Sequence, residues 1–98
     1  MNFATFKEST ARDEPPAGTG NLLAALWYEA RGQWDRAHEL AQQAPDPDGA
    51  WVHAYLHRVE GDESNAGYWY RRAGKPHSKA TLAAEWEEIA AALLEDGG

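Results

Sequence analysis

The chain is 98 residues long, contains no cysteine, and sets nine Lys plus Arg against 16 Asp plus Glu for a formal charge of -7. That length fits one domain with one core. The acidic balance disfavours a nucleic-acid backbone or an anionic membrane surface as partner, and the lack of cysteine excludes a disulfide frame and a thiolate zinc site.

Met1 to Gly18 has no sustained period, and its middle is charged and broken by Pro15 and Pro16. It is expected to form an irregular or disordered N-terminal arm (residues 1–18) ahead of a single α-helical domain (residues 19–98), with Phe3 and Phe6 as its sizeable apolar groups. Met1 to Thr10 lack the apolar run of a signal peptide, and no stretch approaches the roughly 18 apolar residues of a membrane span, so a cytoplasmic protein is expected.

Five helices follow from the periodicity. The first, about Gly20 to Arg31, repeats Leu22, Leu23, Leu26, Trp27 and Ala30 at helical spacing, with Thr19 or Asn21 as cap and Gly32 as its end. The second, about Gln33 to Ala44, carries Trp34, Ala37, Leu40 and Ala41 on one stripe and stops before Pro45. Asp46, Pro47 and Asp48 signal a new start, with Asp46 capping a third helix that reaches about Glu60 on Trp51, Val52, Tyr55, Leu56 and Val59. Gly61 breaks it, and Asp62 is placed to cap a fourth helix whose Ala66, Trp69, Tyr70 and Ala73 face inward. Gly74 and Pro76 close that helix, and Ser78 is a candidate cap for a fifth, about Lys79 to Glu95, with a seam of Leu82, Trp86, Ile89 and Leu93.

Ala25, Gly32, Ala37 and Ala44 recur 29 positions later as Ala54, Gly61, Ala66 and Ala73. A duplicated amphipathic unit buries its face by stacking on its copy. This spacing resembles the tetratricopeptide repeat family over roughly residues 20–76, with Ala25 and Tyr28 at the first-helix positions and Tyr70 at the second-helix aromatic position. The family unit has about 34 residues, so the linker around Pro45 to Pro47 must be shorter here. The run from His53 to Arg58, with Glu60 to Asp62, Asn65, Ala66 and Tyr68 to Gly74, is also similar to short bacterial proteins without an assigned activity, and implies none.

The resemblance implies an all-α protein of two helical hairpins plus a closing helix, and a concave groove lined by the first helix of each hairpin. Leu22, Leu26 and Glu29 would then lie beside Trp51, Tyr55 and Arg58. The expected function is a small interaction or adaptor module that holds a protein or peptide, anchored by Trp51 and Tyr55 on Leu26 and oriented by Glu29 and Arg58. Self-association is a second possibility, because a short array has ends that a copy could cover. The fifth helix must bury its own seam, so Leu82 and Trp86 either fill this groove or cover the outside of the fourth helix.

His53 and His57 stand four apart, so both imidazoles leave one face of the third helix with Glu60 a turn further on. That is ligand spacing, yet no HExxH follows and no cysteine completes a set. No metal or other cofactor is assigned, and histidines hydrogen-bonded to their neighbours are expected. The alternative is a small-ligand or metal pocket, or an enzyme, using His53, His57 and Tyr28. Tyr68 to Arg72 interleave aromatic and basic groups, but on a helix they point in all directions and do not make a nucleic-acid surface. No serine sits in a nucleophile elbow and no glycine-rich phosphate loop is present, so no catalytic residue is assigned.

Overall fold

Each repeat bends at a glycine. In a computed structural model, which describes residues 1–97 and side chains as far as Glu95, Gly32 and Gly61 have φ of 79° and 86°. In the first repeat the amide of Gly32 donates to the Glu29 carbonyl and that of Gln33 to Tyr28; in the second, Gly61 donates to Arg58 and Asp62 to His57. These paired bonds satisfy the last carbonyls of each helix and require a residue in the left-handed region, which only glycine enters freely. The glycines therefore stand at corners, 29 residues apart, and set two hairpins from one local rule.

The described residues form α1 (Phe3–Ser9), α2 (Asn21–Ala30), α3 (Trp34–Gln42), α4 (Asp48–Val59), α5 (Glu63–Ala73) and α6 (Leu82–Gly97), with no strand. The five expected helices are α2 to α6. Hairpins α2/α3 and α4/α5 pack on one another through α3 and α4. No described helix is long and apolar enough to cross a membrane. Asp62 caps α5 as expected, accepting from the Asn65 amide at 3.1 Å. The other caps differ. Gly20 precedes α2 without a side-chain bond, because Thr19 turns its hydroxyl to the Pro16 carbonyl. Asp46 pairs with Arg72 at 2.9 Å instead of capping α4, and Pro47 takes the cap position. Thr81, not Ser78, caps α6 by accepting from the Ala84 amide at 3.1 Å.

Helix α4 is the axis of the molecule. Gly49 to His57 are all buried, so every face of that stretch meets another helix. Ala25, Ala37, Ala54 and Ala66 are fully buried, which lets the helix backbones approach closely. Helix α6 lies against α2 and α4, in the groove between the first helices of the hairpins. Its Ile89 and Ala90 are fully buried, and Trp86 is buried with its indole N–H donating to the Leu26 carbonyl at 3.0 Å. Of the two seam residues expected to enter, Trp86 does so and Leu82 stays at the rim, 38% exposed.

The arm holds an element the sequence did not suggest. Residues Phe3–Ser9 form a two-turn helix capped by Asn2, and Phe6 is fully buried, stacked on Trp86 with ring centroids 5.7 Å apart. The Ser9 and Thr10 carbonyls accept from the Trp27 indole at 2.9 Å and the Arg31 guanidinium at 3.0 Å. A segment too short to form a stable helix alone becomes helical because α2 and α6 supply its apolar floor and its partners.

Helix α6 is also tied down by charge. The Glu85 carboxylate, 1% exposed, accepts from Arg58 at 2.6 Å and from the Tyr70 hydroxyl at 2.5 Å. Arg58 further donates to the Ala80 carbonyl at 2.7 Å, just ahead of α6. Removing one member of a buried pair strands the other charge. Glu85→Ala should therefore cost about 3 kcal/mol in urea unfolding, and Glu85→Gln, which still offers Tyr70 an acceptor, should cost less. Gly61→Ala should cost about 1 kcal/mol by the same measurement, since a side chain would meet open space and only the backbone conformation opposes it.

Candidate functional site

The residues expected to line a peptide groove are brought together, but under α6. Leu26 is fully buried, and Tyr55 and Trp51 are buried. The Tyr55 hydroxyl donates to Glu29 at 3.2 Å, Arg58 is engaged by Glu85, and the Lys75 ammonium lies 4.1 Å from the Trp51 ring centroid. These side chains therefore contact the protein itself. What stays open is a cleft of about 370 Å³ at the α1 end of α6, where Glu29 and Tyr55 meet Trp86, Leu82 and Lys7.

A different constellation forms on the other side of α4. His53 and His57, one turn apart, project from α4 with rings stacked at 4.9 Å. His38 of α3 closes on both, its centroid 4.5 Å from His53 and 5.5 Å from His57. One nitrogen from each of the three lies within 4.8 Å of those of the other two. His53 and His57 are buried and His38 is half-buried, so the cluster meets solvent along one edge.

Aromatic rings fix the imidazoles in place. Trp34, one turn before His38 on α3, stacks on it at 4.8 Å and 14°, and anchors its own indole N–H on the Leu56 carbonyl at 2.7 Å. Trp69 of α5 lies flat on His53 at 3.8 Å and 12°. The His57 Nδ1 meets the Glu60 carboxylate at 2.6 Å. With the proton on Nδ1, the carboxylate orients the ring and leaves the Nε2 lone pair to face outward from that bond. Neither ring nitrogen of His38 or His53 has a hydrogen-bond partner among the described residues. The Gln42, Asp46 and Arg72 side chains border an adjoining hollow of about 410 Å³ that also reaches His53 and Trp69.

The electrostatics favour the neutral form of His38 and His53. Burial, reinforced by His38 and His57, lowers His53 to about 4. Burial also lowers His38, with His57 adding to it. A positive charge on either ring would repel charge on its neighbours, so His38 and His53 hold lone pairs in preference to protons.

Tyr28, expected beside the histidines, packs instead against Trp27 at 5.1 Å and under the Arg36 guanidinium at 5.6 Å. His38 and Trp69 are the site residues that the sequence did not single out. Trp69 was expected in the core stripe; it is half-buried and belongs to the histidine stack. The spacing of Trp34 and His38 was the available signal, since residues four apart on a helix stack readily. Comparison with protein-family profiles, with curated proteins and with solved structures returns no match to this chain.

The depressed His53 gives a signed expectation for the metal-free protein. The unfolded state, with histidine near its ordinary value of about 6.5, binds a proton that the folded state refuses until about pH 4. His53 thus contributes stability that is complete above about pH 6.5 and is lost as the pH falls toward 4. In chelator-treated protein, the urea midpoint should fall over that window, and His53→Gln should flatten the fall by roughly 2 kcal/mol.

Proposed function

We propose that this protein binds a divalent transition-metal ion of the zinc class through His38, His53 and His57. The observation that supports it is the convergence of three imidazoles from two hairpins, without hydrogen-bond partners for His38 and His53, and with the third oriented by Glu60. Three nitrogens around a tetrahedral ion stand about 3.4 Å apart for metal–nitrogen distances near 2.1 Å. The present separations are at most 4.8 Å, so binding would draw the three nitrogens together by side-chain rotation. Three protein ligands leave a fourth position for water or a small ligand, the arrangement used where a metal acts as a Lewis acid. A bound ion would link α3 of one hairpin to α4 of the next.

Capture of a peptide in the groove is the rival reading. It would require α6 to leave, exposing Trp86, Ile89 and Ala90 to water and stranding the Glu85 carboxylate. The histidine cluster requires no such rearrangement. The register of Ala25, Gly32 and Ala37 and their copies resembles the tetratricopeptide pattern, and that likeness supports stacking more directly than it supports any partner.

Chelator-stripped protein titrated with zinc should melt several degrees higher at saturation, because an ion that binds only the folded state stabilises it by about 2.7 kcal/mol at 100 times its Kd. Copper should quench tryptophan fluorescence at one equivalent, since Trp34 and Trp69 lie on two of the ligands. His38→Ala should abolish both effects. Zinc that leaves the melting temperature unmoved, or a response that survives His38→Ala intact, would overturn the proposal.

A further inference from the structure

Glu29 is a half-buried carboxylate with no cation. It lies near the end of α2, in the cleft of about 370 Å³ beside α1 and α6, and makes no ion pair among the described residues. Its one hydrogen bond comes from the Tyr55 hydroxyl at 3.2 Å on Oε2. Lys7, the cation that lines the cleft, is engaged by Glu87 at 2.8 Å, while Arg31 donates to the Thr10 carbonyl at 3.0 Å and Arg58 to Glu85 at 2.6 Å. Burial raises the carboxyl above its ordinary value, the direction expected of an acid that has lost water without gaining a counter-ion.

The walls of the cleft add the second half of a recognition site. Leu82, Ala30 and Ala83 present apolar surface beside the 7% of Trp86 that stays exposed, and Tyr55 keeps a hydroxyl oxygen that can accept while its proton is given to Glu29. A carboxylate, an accepting hydroxyl and an indole wall in one concavity complement a positive charge that carries a short apolar body. The Lys7 to Glu87 pair, which joins α1 to α6, lines the outer edge.

We propose that this cleft binds a small alkylammonium ion, with the ammonium on Glu29 and Tyr55 and the alkyl chain against Leu82, Ala83 and the exposed edge of Trp86. The site is separate from the histidine cluster and does not depend on metal binding. The overall acidity of the chain would attract any cation weakly, so saturation and dependence on Glu29 are what separate a site from a charged surface.

The test follows the Trp86 indole N–H resonance during titration with n-butylammonium chloride at constant ionic strength, with n-butanol as the uncharged counterpart. Wild type should saturate with a Kd on the order of millimolar. Glu29→Gln should weaken binding about tenfold or more, as expected for loss of a hydrogen bond to a charged group, Tyr55→Phe should weaken it less, and Glu14→Gln in the exposed arm should leave it unchanged. Butanol should produce no saturable shift. Absence of saturation in wild type, equal affinity in Glu29→Gln, or butanol binding as tightly as butylammonium would each overturn the proposal, and the butanol comparison needs no variant to fold.

Discussion

Burial of α4 on all sides is the constraint from which the rest of the structure follows. A helix that exposes one face can be stabilised by one neighbour, but Gly49 to His57 are buried on every face. Hairpin partner α5 covers one side, α3 of the preceding hairpin another, and α2 with α6 the remainder. Two stacked hairpins alone would leave Trp51, Tyr55 and the outer side of Leu26 in water. Helix α6 removes that exposure, and Phe6 of α1 then covers the outer face of Trp86.

This order of dependence explains where polar groups went. Arg58 of α4 and Tyr70 of α5 both turn polar groups toward α6, and an apolar helix could satisfy neither. Helix α6 answers with Glu85, placed next to Trp86 so that one turn delivers both the ring and the counter-charge. The pairing specifies the depth and rotation of α6 more than it adds net stability, because withdrawing two charges from water offsets much of their attraction. Glu29, one turn beyond the reach of that network, is left with Tyr55 alone.

On the opposite side, α4 gives His53 and His57 to a surface completed by α3 and α5. Their common face was legible from a spacing of four, since helical geometry fixes it within one element. The third imidazole was not. His38 reaches them only because the short connection between α3 and α4 sets the two helices side by side, and Trp69 reaches His53 only through the α4/α5 crossing. Distances between elements depend on packing register, which a residue spacing along the chain does not encode.

Local rules therefore determined the helices, the corners at Gly32 and Gly61 and the apolar faces, because backbone sterics and periodicity act over a few residues and need no distant partner. The same rules placed caps less well, as Asp46 and Ser78 illustrate, since a polar side chain chooses among competing partners within reach. Tertiary structure alone decided that α6 enters the groove, that residues Phe3–Ser9 become helical, and that three histidines converge. The first two are set by burial of apolar area and by hydrogen bonds and ion pairs across 18 to 80 residues of sequence, the third by the packing of α3 on α4, and such terms exist only once the chain has closed on itself.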